Sequence, residues 1–243
     1  CGVIHIDNVA TSVLSGGYSL GMALDGDADR VLFVDPRGRV IDGDIILWVL
    51  GRWLLSEGKL GNGVVATVMS NKALEEKLSQ EGITLRRCPV GDRYVLDAMR
   101  LSGSNLGGEQ SGHIIAYDFF PTGDGLGSGL LLLSACGRLG EDTDTLVDRF
   151  ERYPQVLKNF HARDKDAFLT HSEVREAISK ASLDLGDLGR ILVRPSGTEP
   201  LVRVLIEARD DTLLEAVSGT LFERIAKVAS SAAFGGLGGG EEP

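Results

Sequence analysis

The sequence predicts an α/β fold followed by a smaller α+β unit. Strand-like apolar runs alternate with apolar residues at helical spacing as far as Phe150, and this alternation indicates an α/β architecture. The pattern changes near Tyr153-Pro154, where strands and helices with capping signals begin a second unit. The chain has 243 residues, which is long enough for two compact domains.

The elements of the first part are predicted from apolar runs between turn residues. The predicted strands are residues 18–24, 31–34, 40–41, 63–68 and 83–85, with two short strands inside 105–117 around Gly112. Helices are predicted over 45–55 with Asp44 as the cap, after Ser70 or Asn71, over 92–99, after Gly123-Asp124-Gly125, and from Thr143. Trp48 and Trp53 fall at helical spacing and are predicted to belong to the core.

In the second part, strands are predicted at residues 156–160, 191–193 and 201–207. A helix is predicted over 172–180, because Thr170 and Glu173 have the spacing of a capping box. Thr212 and Glu215 repeat this spacing at the start of the last helix. The glycine-rich tail at 231–243 has little to bury, so we expect it to be disordered.

Composition and charge exclude several functions. The net charge of −10 argues against nonspecific binding to nucleic acid or to anionic membranes. No apolar run approaches the roughly 20 residues that span a bilayer. Cys1, Cys88 and Cys136 are too far apart for a metal knuckle, and their low, odd number predicts a reducing cytoplasm. The chain starts without Met or a signal peptide, from which we expect a piece of a longer protein.

The acidic loop, residues 25–30, is the first candidate site. Asp25, Asp27 and Asp29 alternate with small residues, and Arg30 follows them. Carboxylates are ligands for Mg²⁺, and an arginine beside them can steady a phosphate. A solvated acidic turn is the simpler interpretation. An EF-hand is excluded because its sixth and twelfth positions would be Arg30 and Pro36.

Two further stretches combine polar side chains with glycines, which leave the backbone open to a ligand. The RPSGTEP turn, residues 194–200, combines a guanidinium, two hydroxyls and a glycine, and favours an anion site over a plain hairpin turn. The glycine-rich loop, residues 107–113, carries Glu109, Ser111 and His113, which suit sugar hydroxyls and proton transfer. A structural role for His113 is the common alternative. The segment Gly91-Asp92-Arg93 is either only the capped start of a helix, or it also places a basic residue against a phosphorylated ligand.

Taken in this order, the stretches resemble the α-D-phosphohexomutase family and, within it, the phosphoglucosamine mutases. The resemblance extends to about Ala229, with Ala28 where many members have glycine. It is carried by DGDADR at 25–30, GDRYV at 91–95, GGEQSGH at 107–113, TGDG at 122–125 and RPSGTEP at 194–200. It implies four domains around a cleft. Residues 1–39 would end the second, mixed-sheet α/β domain, 40–153 would form a complete α/β domain, and 154–230 the smaller α+β C-terminal domain.

The resemblance also implies an activity. The family interconverts hexose 6-phosphates and 1-phosphates through a phosphoserine and a 1,6-bisphosphate, here glucosamine phosphates for UDP-N-acetylglucosamine and cell-wall precursors. Mg²⁺ would be held by Asp25, Asp27 and Asp29, with Arg30 beside the transferring phosphoryl group and His113 in proton transfer. Sugar hydroxyls would be bound by Glu109 and Ser111. The phosphates would be bound by Arg93, Arg194, Ser196, Gly197, Thr198 and Arg203.

One departure limits this expectation. The family places its serine in a Ser-His-Asn-Pro context in the first domain, and that sequence does not occur here. The chain would therefore need the missing N-terminal domains as partners and would be inactive alone. Three alternatives stay open: a phosphomannomutase or phosphoglucomutase of the same family, a Mg²⁺-dependent phosphatase with Asp25 as nucleophile, and a sugar-phosphate binder without catalysis.

Overall fold

The computed structural model of the chain describes residues 2–230, so the predicted tail at 231–243 lies outside the described residues. The chain divides into two compact units between Arg152 and Tyr153. None of the described helices is long and apolar enough to cross a membrane. The predicted fold class, α/β followed by a smaller α+β unit, is confirmed.

The first unit alternates helices and strands after a short 3-10 turn at Val3–His5. Its helices are α1 (Ile6–Gly16), α2 (Gly43–Ser56), α3 (Lys72–Gln80), α4 (Asp92–Ser102), α5 (Gly125–Leu139) and α6 (Thr143–Phe150). Its strands are β1 (Gly21–Leu24), β2 (Val31–Val34), β3 (Val40–Ile41), β4 (Val64–Thr67), β5 (Leu85–Cys88), β6 (Leu106–Gly108) and β7 (Ile114–Ala116). The sequence did not predict α1.

Two sheets organise this unit. Strands β1, β2 and β3 form an antiparallel sheet in that order. The second sheet has the order β5-β4-β6-β7, with β4 parallel to both neighbours and β7 antiparallel to β6. The segments that follow β4, β5 and β6 therefore leave the sheet at one edge, where ligands bind in open α/β sheets. The predicted boundary at residue 39 stays a prediction, and β2 and β3 pair across it.

Helix α2 lies in the core of the first unit. Trp48 and Trp53 are buried as predicted, and the Trp48 ring packs on Phe150 with the ring centroids 5.9 Å apart. The predicted cap was wrong by two residues. Asp42 is the N-cap, its carboxylate accepting from the Ile45 backbone N–H at 3.4 Å, whereas Asp44 lies inside the first turn and is fully buried.

The second unit is an antiparallel sheet covered by helices. Its elements are β8 (Gln155–His161), α7 (Lys165–Thr170), α8 (Ser172–Leu185), β9 (Gly189–Pro195), β10 (Leu201–Ala208) and α9 (Asp211–Ala229), with a 3-10 turn at Gly186–Leu188. The strand order is β8-β10-β9. Alternate residues of β10, namely Val202, Val204 and Ile206, join the apolar faces of α8 and α9 in one core. Arg203 therefore points to the opposite face of the sheet.

Three local predictions were wrong for physical reasons. Ile83 is not in a strand, because its backbone N–H binds Leu78 O and closes the end of α3, and the strand follows at β5. Thr170 does not form a capping box, since its hydroxyl donates to Asp166 O within α7. At α9 the cap is Asp210, whose carboxylate accepts from the Leu213 N–H at 2.9 Å, so that Thr212 falls inside the helix.

Candidate functional site

The acidic loop connects β1 and β2, whose pairing ends at Leu24 and Val31. This hairpin brings together the three predicted metal ligands: one carboxylate oxygen each of Asp25, Asp27 and Asp29 lies within 4.8 Å of the others. Oδ1 of Asp29 is buried and has no hydrogen-bond partner among the described residues. Three convergent carboxylates with an unsatisfied buried oxygen fit a hard divalent cation.

Short backbone contacts fix the shape of this loop. Ala28 adopts a left-handed conformation with φ of 60°, and its carbonyl accepts from the Gly125 N–H at 2.9 Å. A Cβ atom at Gly125 would lie 2.7 Å from the Arg30 carbonyl oxygen. Helix α5 therefore begins directly against the acidic loop, which explains why its first residue is glycine.

The carboxylates of the loop differ in acidity. Burial and the neighbouring Asp25 raise the pKa of Asp29, although His113 opposes the change. Burial acts in the same direction at Asp25, but hydrogen bonds from the Arg30 backbone and from Asp29 bring the pKa of Asp25 below its ordinary value. As the pH falls, Asp29 is therefore the first of these two carboxyl groups to take up a proton.

His113 contacts the acidic loop from the glycine-rich loop, and Arg30 is the last residue of the acidic loop itself. The buried His113 ring has its Nδ1 atom 3.0 Å from Asp29 Oδ2. The Arg30 backbone N–H donates to Asp25 Oδ1 at 3.1 Å, and its Nε lies 3.8 Å from Asp25 Oδ2. The backbones of Arg30 and His113 also form a β-bridge. When Nδ1 of His113 carries the proton toward Asp29, Nε2 is free to accept one.

Gly123 of the TGDG motif shapes the other side of the histidine. A Cβ atom at this position would lie 2.3 Å from Cε1 of His113, so only glycine lets the ring reach Asp29. Asp124 caps α5 by accepting from the Gly127 N–H at 2.8 Å. The glycines of the motif therefore leave room for the His113 ring on one side and for the acidic loop on the other.

The glycine-rich loop lies at the edge of the second sheet beside a cavity of about 560 Å³. The cavity is lined by Arg30, Leu32, Val40, Asp42, Thr67, Met69, Val90, Glu109, Gln110 and Ser111. The buried Glu109 carboxylate accepts from the Gly91 N–H at 3.0 Å, and its other oxygen lies 3.5 Å from the Ser111 hydroxyl. The structure therefore brings Arg30, Glu109 and Ser111 to one cavity.

The N-terminus of α2 supports this loop from behind, which the sequence did not predict. The Gly43 N–H donates to Gln110 O at 3.0 Å. Asp44 Oδ2 accepts from the Asn71 N–H at 2.9 Å and from Gln110 Nε2 at 3.2 Å. The Arg152 guanidinium forms an ion pair with Asp42, with Nη2 of Arg152 2.5 Å from Oδ2 of Asp42. Since Asp42 and Arg152 are 110 residues apart, no local pattern could have revealed the pair.

The predicted site residue Arg93 lies outside the lining of the cavity. Its side chain is 85% exposed, and its Nε lies 3.9 Å from the Asp97 carboxylate one turn further along α4. The structure thus connects the GDRYV segment to the glycine-rich loop through the Gly91 N–H and not through the arginine.

The RPSGTEP turn belongs to the second unit and joins β9 to β10. Arg194 and Arg203 are cross-strand partners, so two guanidinium groups share one face. Glu199 partly balances the positive charge of these two arginines. Its Oε2 accepts from Arg203 Nη2 at 2.8 Å and lies 3.4 Å from the Ser196 hydroxyl. Nε of Arg203 is buried without a hydrogen-bond partner among the described residues.

A lysine that the sequence reasoning missed holds this turn. Nζ of Lys165, at the start of α7, donates to Ser196 O at 2.6 Å and lies 3.4 Å from Glu199 O. Gly197 and Thr198 lie exposed between these anchored positions. A Cβ atom at Gly197 would meet nothing within 4 Å, so a ligand can approach its backbone. The arrangement can bind an anion through arginines, hydroxyls and backbone N–H groups.

Comparisons with known proteins agree with the geometry. Residues 42–153 match the family described as phosphoglucomutase/phosphomannomutase, alpha/beta/alpha domain III. Residues 157–224 match the C-terminal domain of the same family. The chain belongs to this α-D-phosphohexomutase family.

Relatives within the phosphohexomutase family share much of the sequence. A phosphoglucosamine mutase of Deinococcus radiodurans is 48% identical over 212 residues, which cover 87% of this chain and 46% of the relative. The phosphoglucosamine mutase of Roseobacter denitrificans is 45% identical over 227 residues, covering 93% of this chain and 51% of the relative. The chain is thus homologous to phosphoglucosamine mutases, which are isomerases, and spans about half the length of these relatives.

Solved structures of other family members share the fold. A phosphoglucomutase/phosphomannomutase family protein from Burkholderia thailandensis matches with a TM-score of 0.72 at 23% identity, over 95% of this chain and 52% of that chain. N-acetylphosphoglucosamine mutase of Aspergillus fumigatus, in complex with GlcNAc-6P and magnesium, matches with a TM-score of 0.73 at 20% identity, over 93% of this chain and 56% of that chain.

Proposed function

We propose that the chain supplies the metal, sugar and phosphate elements of a phosphoglucosamine mutase. The complete protein would interconvert glucosamine 6-phosphate and glucosamine 1-phosphate through a phosphoserine and a 1,6-bisphosphate, for UDP-N-acetylglucosamine and cell-wall precursors. The observation that carries the proposal is the convergence of Asp25, Asp27 and Asp29 next to Arg30, which lines a cavity together with Glu109 and Ser111. The sequence identity of 48% and 45% with two phosphoglucosamine mutases supports the choice of substrate.

Asp25, Asp27 and Asp29 would hold Mg²⁺. The orphaned Oδ1 of Asp29 and the acceptor-only chemistry of the three carboxylates support this assignment. When bound, the ion neutralises negative charge on the transferring phosphoryl group. Arg30, anchored to Asp25, would place its guanidinium against the same group, where a planar donor suits phosphate oxygens.

His113 would move a proton at the reacting sugar hydroxyl. Its Nδ1 contact with Asp29 fixes the orientation of the ring, and Nε2 is then the atom that takes or returns the proton. Glu109 and Ser111 would bind neighbouring hydroxyls and hold the sugar in position for transfer. The exposed Arg93 side chain, whose Nε lies 3.9 Å from Asp97, would contact a phosphate after a rearrangement of that side chain.

The RPSGTEP turn would bind the phosphate that does not react. Arg194 and Arg203 supply charge, Ser196 and Thr198 supply hydroxyls, and Gly197 supplies an accessible backbone N–H. Binding energy at this distant group keeps the sugar in line with the phosphoryl donor. We propose that the partners are the hexosamine phosphates and N-terminal domains that carry the serine, and that the protein acts in the cytoplasm.

Calorimetry with two variants tests the division of roles. We expect Asp27→Ala to weaken Mg²⁺ binding strongly, because one of three convergent ligands is lost. We expect Arg194→Ala to weaken glucosamine 6-phosphate binding about tenfold or more while the affinity for Mg²⁺ stays unchanged. Equal losses of both ligands in both variants would contradict separate roles.

A turnover assay tests the dependence on the serine. The 243-residue chain contains no Ser-His-Asn-Pro sequence, so we expect no mutase turnover from it alone, even with Mg²⁺ and glucose 1,6-bisphosphate. Measurable formation of glucosamine 1-phosphate by this chain would refute the proposed mechanism.

A further inference from the structure

The carboxylate of Glu199 is bonded to donors that the RPSGTEP turn would offer to a phosphate. Its Oε2 accepts from Nη2 of Arg203 at 2.8 Å and from the Ser196 hydroxyl at 3.4 Å. Both donors belong to the set proposed above for the phosphate that does not react. A carboxylate oxygen and a phosphate oxygen are both charged acceptors, so the two groups compete for the same contacts.

The backbone of the turn is anchored independently of this carboxylate. The Glu199 N–H donates to the Ser196 hydroxyl oxygen at 3.3 Å, and the Glu199 carbonyl oxygen lies 3.4 Å from Nζ of Lys165. On both sides of the turn, β9 and β10 remain paired as far as Pro195 and Val202. The Glu199 side chain is 50% exposed, so it can swing into solvent while the backbone keeps its bonds.

The turn carries more positive charge than Glu199 balances. Arg194 and Arg203 are cross-strand partners on one face of the sheet, and Lys165 is a third cation at the turn. Glu199 pairs with Arg203 alone among these three. The buried Nε of Arg203 has no hydrogen-bond partner among the described residues. Donors for an incoming anion are therefore present beside the carboxylate, and the anion can bind them before the carboxylate leaves.

We propose that Glu199 is an internal counter-anion, which binds Arg203 and Ser196 in the free protein and leaves them when a phosphate binds the turn. The inference rests on the proposed function and deepens it by naming the group that limits the affinity of the turn. Because the carboxylate must be displaced, part of the binding energy of the phosphate is spent on breaking its contacts.

The proposed reaction explains why limited affinity is useful at this turn. A 1,6-bisphosphate forms when one end of the sugar receives a phosphoryl group, and it is consumed when the other end gives one up. Each phosphate is therefore the non-reacting one in turn, and the RPSGTEP turn must release the first before it binds the second. Tighter binding in every state would slow this exchange without lowering the chemical barrier. Glu199 returns to Arg203 as a phosphate departs and thereby favours its release.

Phosphate binding by Glu199→Gln tests the displacement. Inorganic phosphate is titrated into the 243-residue chain and into the variant by calorimetry at constant ionic strength. Glutamine keeps the size of the side chain but not its charge, so it competes less well for Arg203. We expect the variant to bind phosphate about three- to tenfold more tightly. Glu215→Gln is the matched control, because it removes an exposed carboxylate from α9, which covers the opposite face of the sheet, and its affinity should equal that of the wild type.

Carbon NMR of the wild type observes the same displacement without relying on a variant's affinity. The carboxyl signals of Glu199 and Glu215 are assigned by their absence from the two glutamine variants. We expect saturating phosphate to shift the Glu199 signal toward that of a solvated glutamate, because the carboxylate has left Arg203. The Glu215 signal should stay in place.

Tighter binding by Glu199→Gln together with a shifted carboxyl signal supports the counter-anion. Unchanged or weaker binding by this variant, or a Glu199 signal that phosphate leaves in place, overturns the counter-anion, and the proposed function stands as long as the wild type binds phosphate. If neither the wild type nor Glu199→Gln binds phosphate, the proposed role of the RPSGTEP turn is overturned and the counter-anion with it.

Discussion

The Asp44→Asn substitution should change how the stability of the first unit depends on pH. Burial raises the pKa of Asp44 from 3.8 to about 7, the charge of Asp42 adds to this, and the Arg152 guanidinium opposes it. A carboxyl group with a raised pKa stabilises the fold fully below the pKa of the unfolded chain, and this contribution is lost as the pH rises through the folded value. The loss at Asp44 therefore runs from about pH 4 to about pH 7.

The size of the effect follows from the two pKa values. At 1.36 kcal/mol for each pH unit, the whole difference corresponds to about 4 kcal/mol, of which about 2 to 3 kcal/mol falls between pH 5 and pH 8. Asparagine does not titrate. The free energy of unfolding of Asp44→Asn should therefore rise relative to that of the wild type by this amount between the two pH values, whatever the constant offset from altered hydrogen bonds.

Urea unfolding followed by tryptophan fluorescence measures this difference. The protein has two tryptophans, and both Trp48 and Trp53 lie in α2, so the signal reports the first unit. Asp97→Asn is the matched control, because it removes a half-exposed carboxylate on α4. If the stability difference between Asp44→Asn and the wild type is the same at pH 5 and pH 8, the argument from burial is refuted.

Substitutions at three further positions test contacts around the sites. Lys165→Met should weaken binding of inorganic phosphate to the chain several-fold, because Nζ no longer holds the RPSGTEP turn, and Lys165→Arg should restore part of it in calorimetry. Gly123→Ala should cost about 1–3 kcal/mol in urea unfolding and shift the imidazole NMR signals of His113, since the new Cβ would meet the ring at 2.3 Å; unchanged signals would contradict the contact. Ala28→Gly should raise stability by up to about 1 kcal/mol by relieving the left-handed conformation, and a clear loss in thermal unfolding would show that no strain is stored there.

The elements with a strong apolar period could be predicted from the sequence. Helix α2 and strands β2, β4 and β10 combine a clear pattern with turn residues at their ends. Helix caps could not be predicted to the residue, because neighbouring polar side chains compete for the same N–H groups. Asp42 and Asp44 both have the chemistry of a cap, and only the packing of α2 decides which side chain is buried.

In the candidate site, too, some features could be predicted from the sequence and others could not. The acidic loop, the glycine-rich loop and the RPSGTEP turn each carry their chemistry within seven residues or fewer, so their residue types could be predicted. Contacts between loops could not. His113 meets Asp29 across 84 residues and Asp44 meets Gln110 across 66, and these pairs exist only because the fold brings the segments together. Lys165 likewise gives no local signal, since its partners are backbone carbonyls on another element.

Mutase activity of a chimera tests the central claim most directly. In the Deinococcus radiodurans phosphoglucosamine mutase, this chain would replace the matching region, which covers 46% of the relative. We expect the chimera to convert glucosamine 6-phosphate to glucosamine 1-phosphate in a Mg²⁺-dependent reaction, to prefer it over glucose and mannose phosphates, and to lose turnover with Asp27→Ala. A folded chimera that binds Mg²⁺ and substrate without turnover, or one that prefers mannose 1-phosphate, would contradict the account.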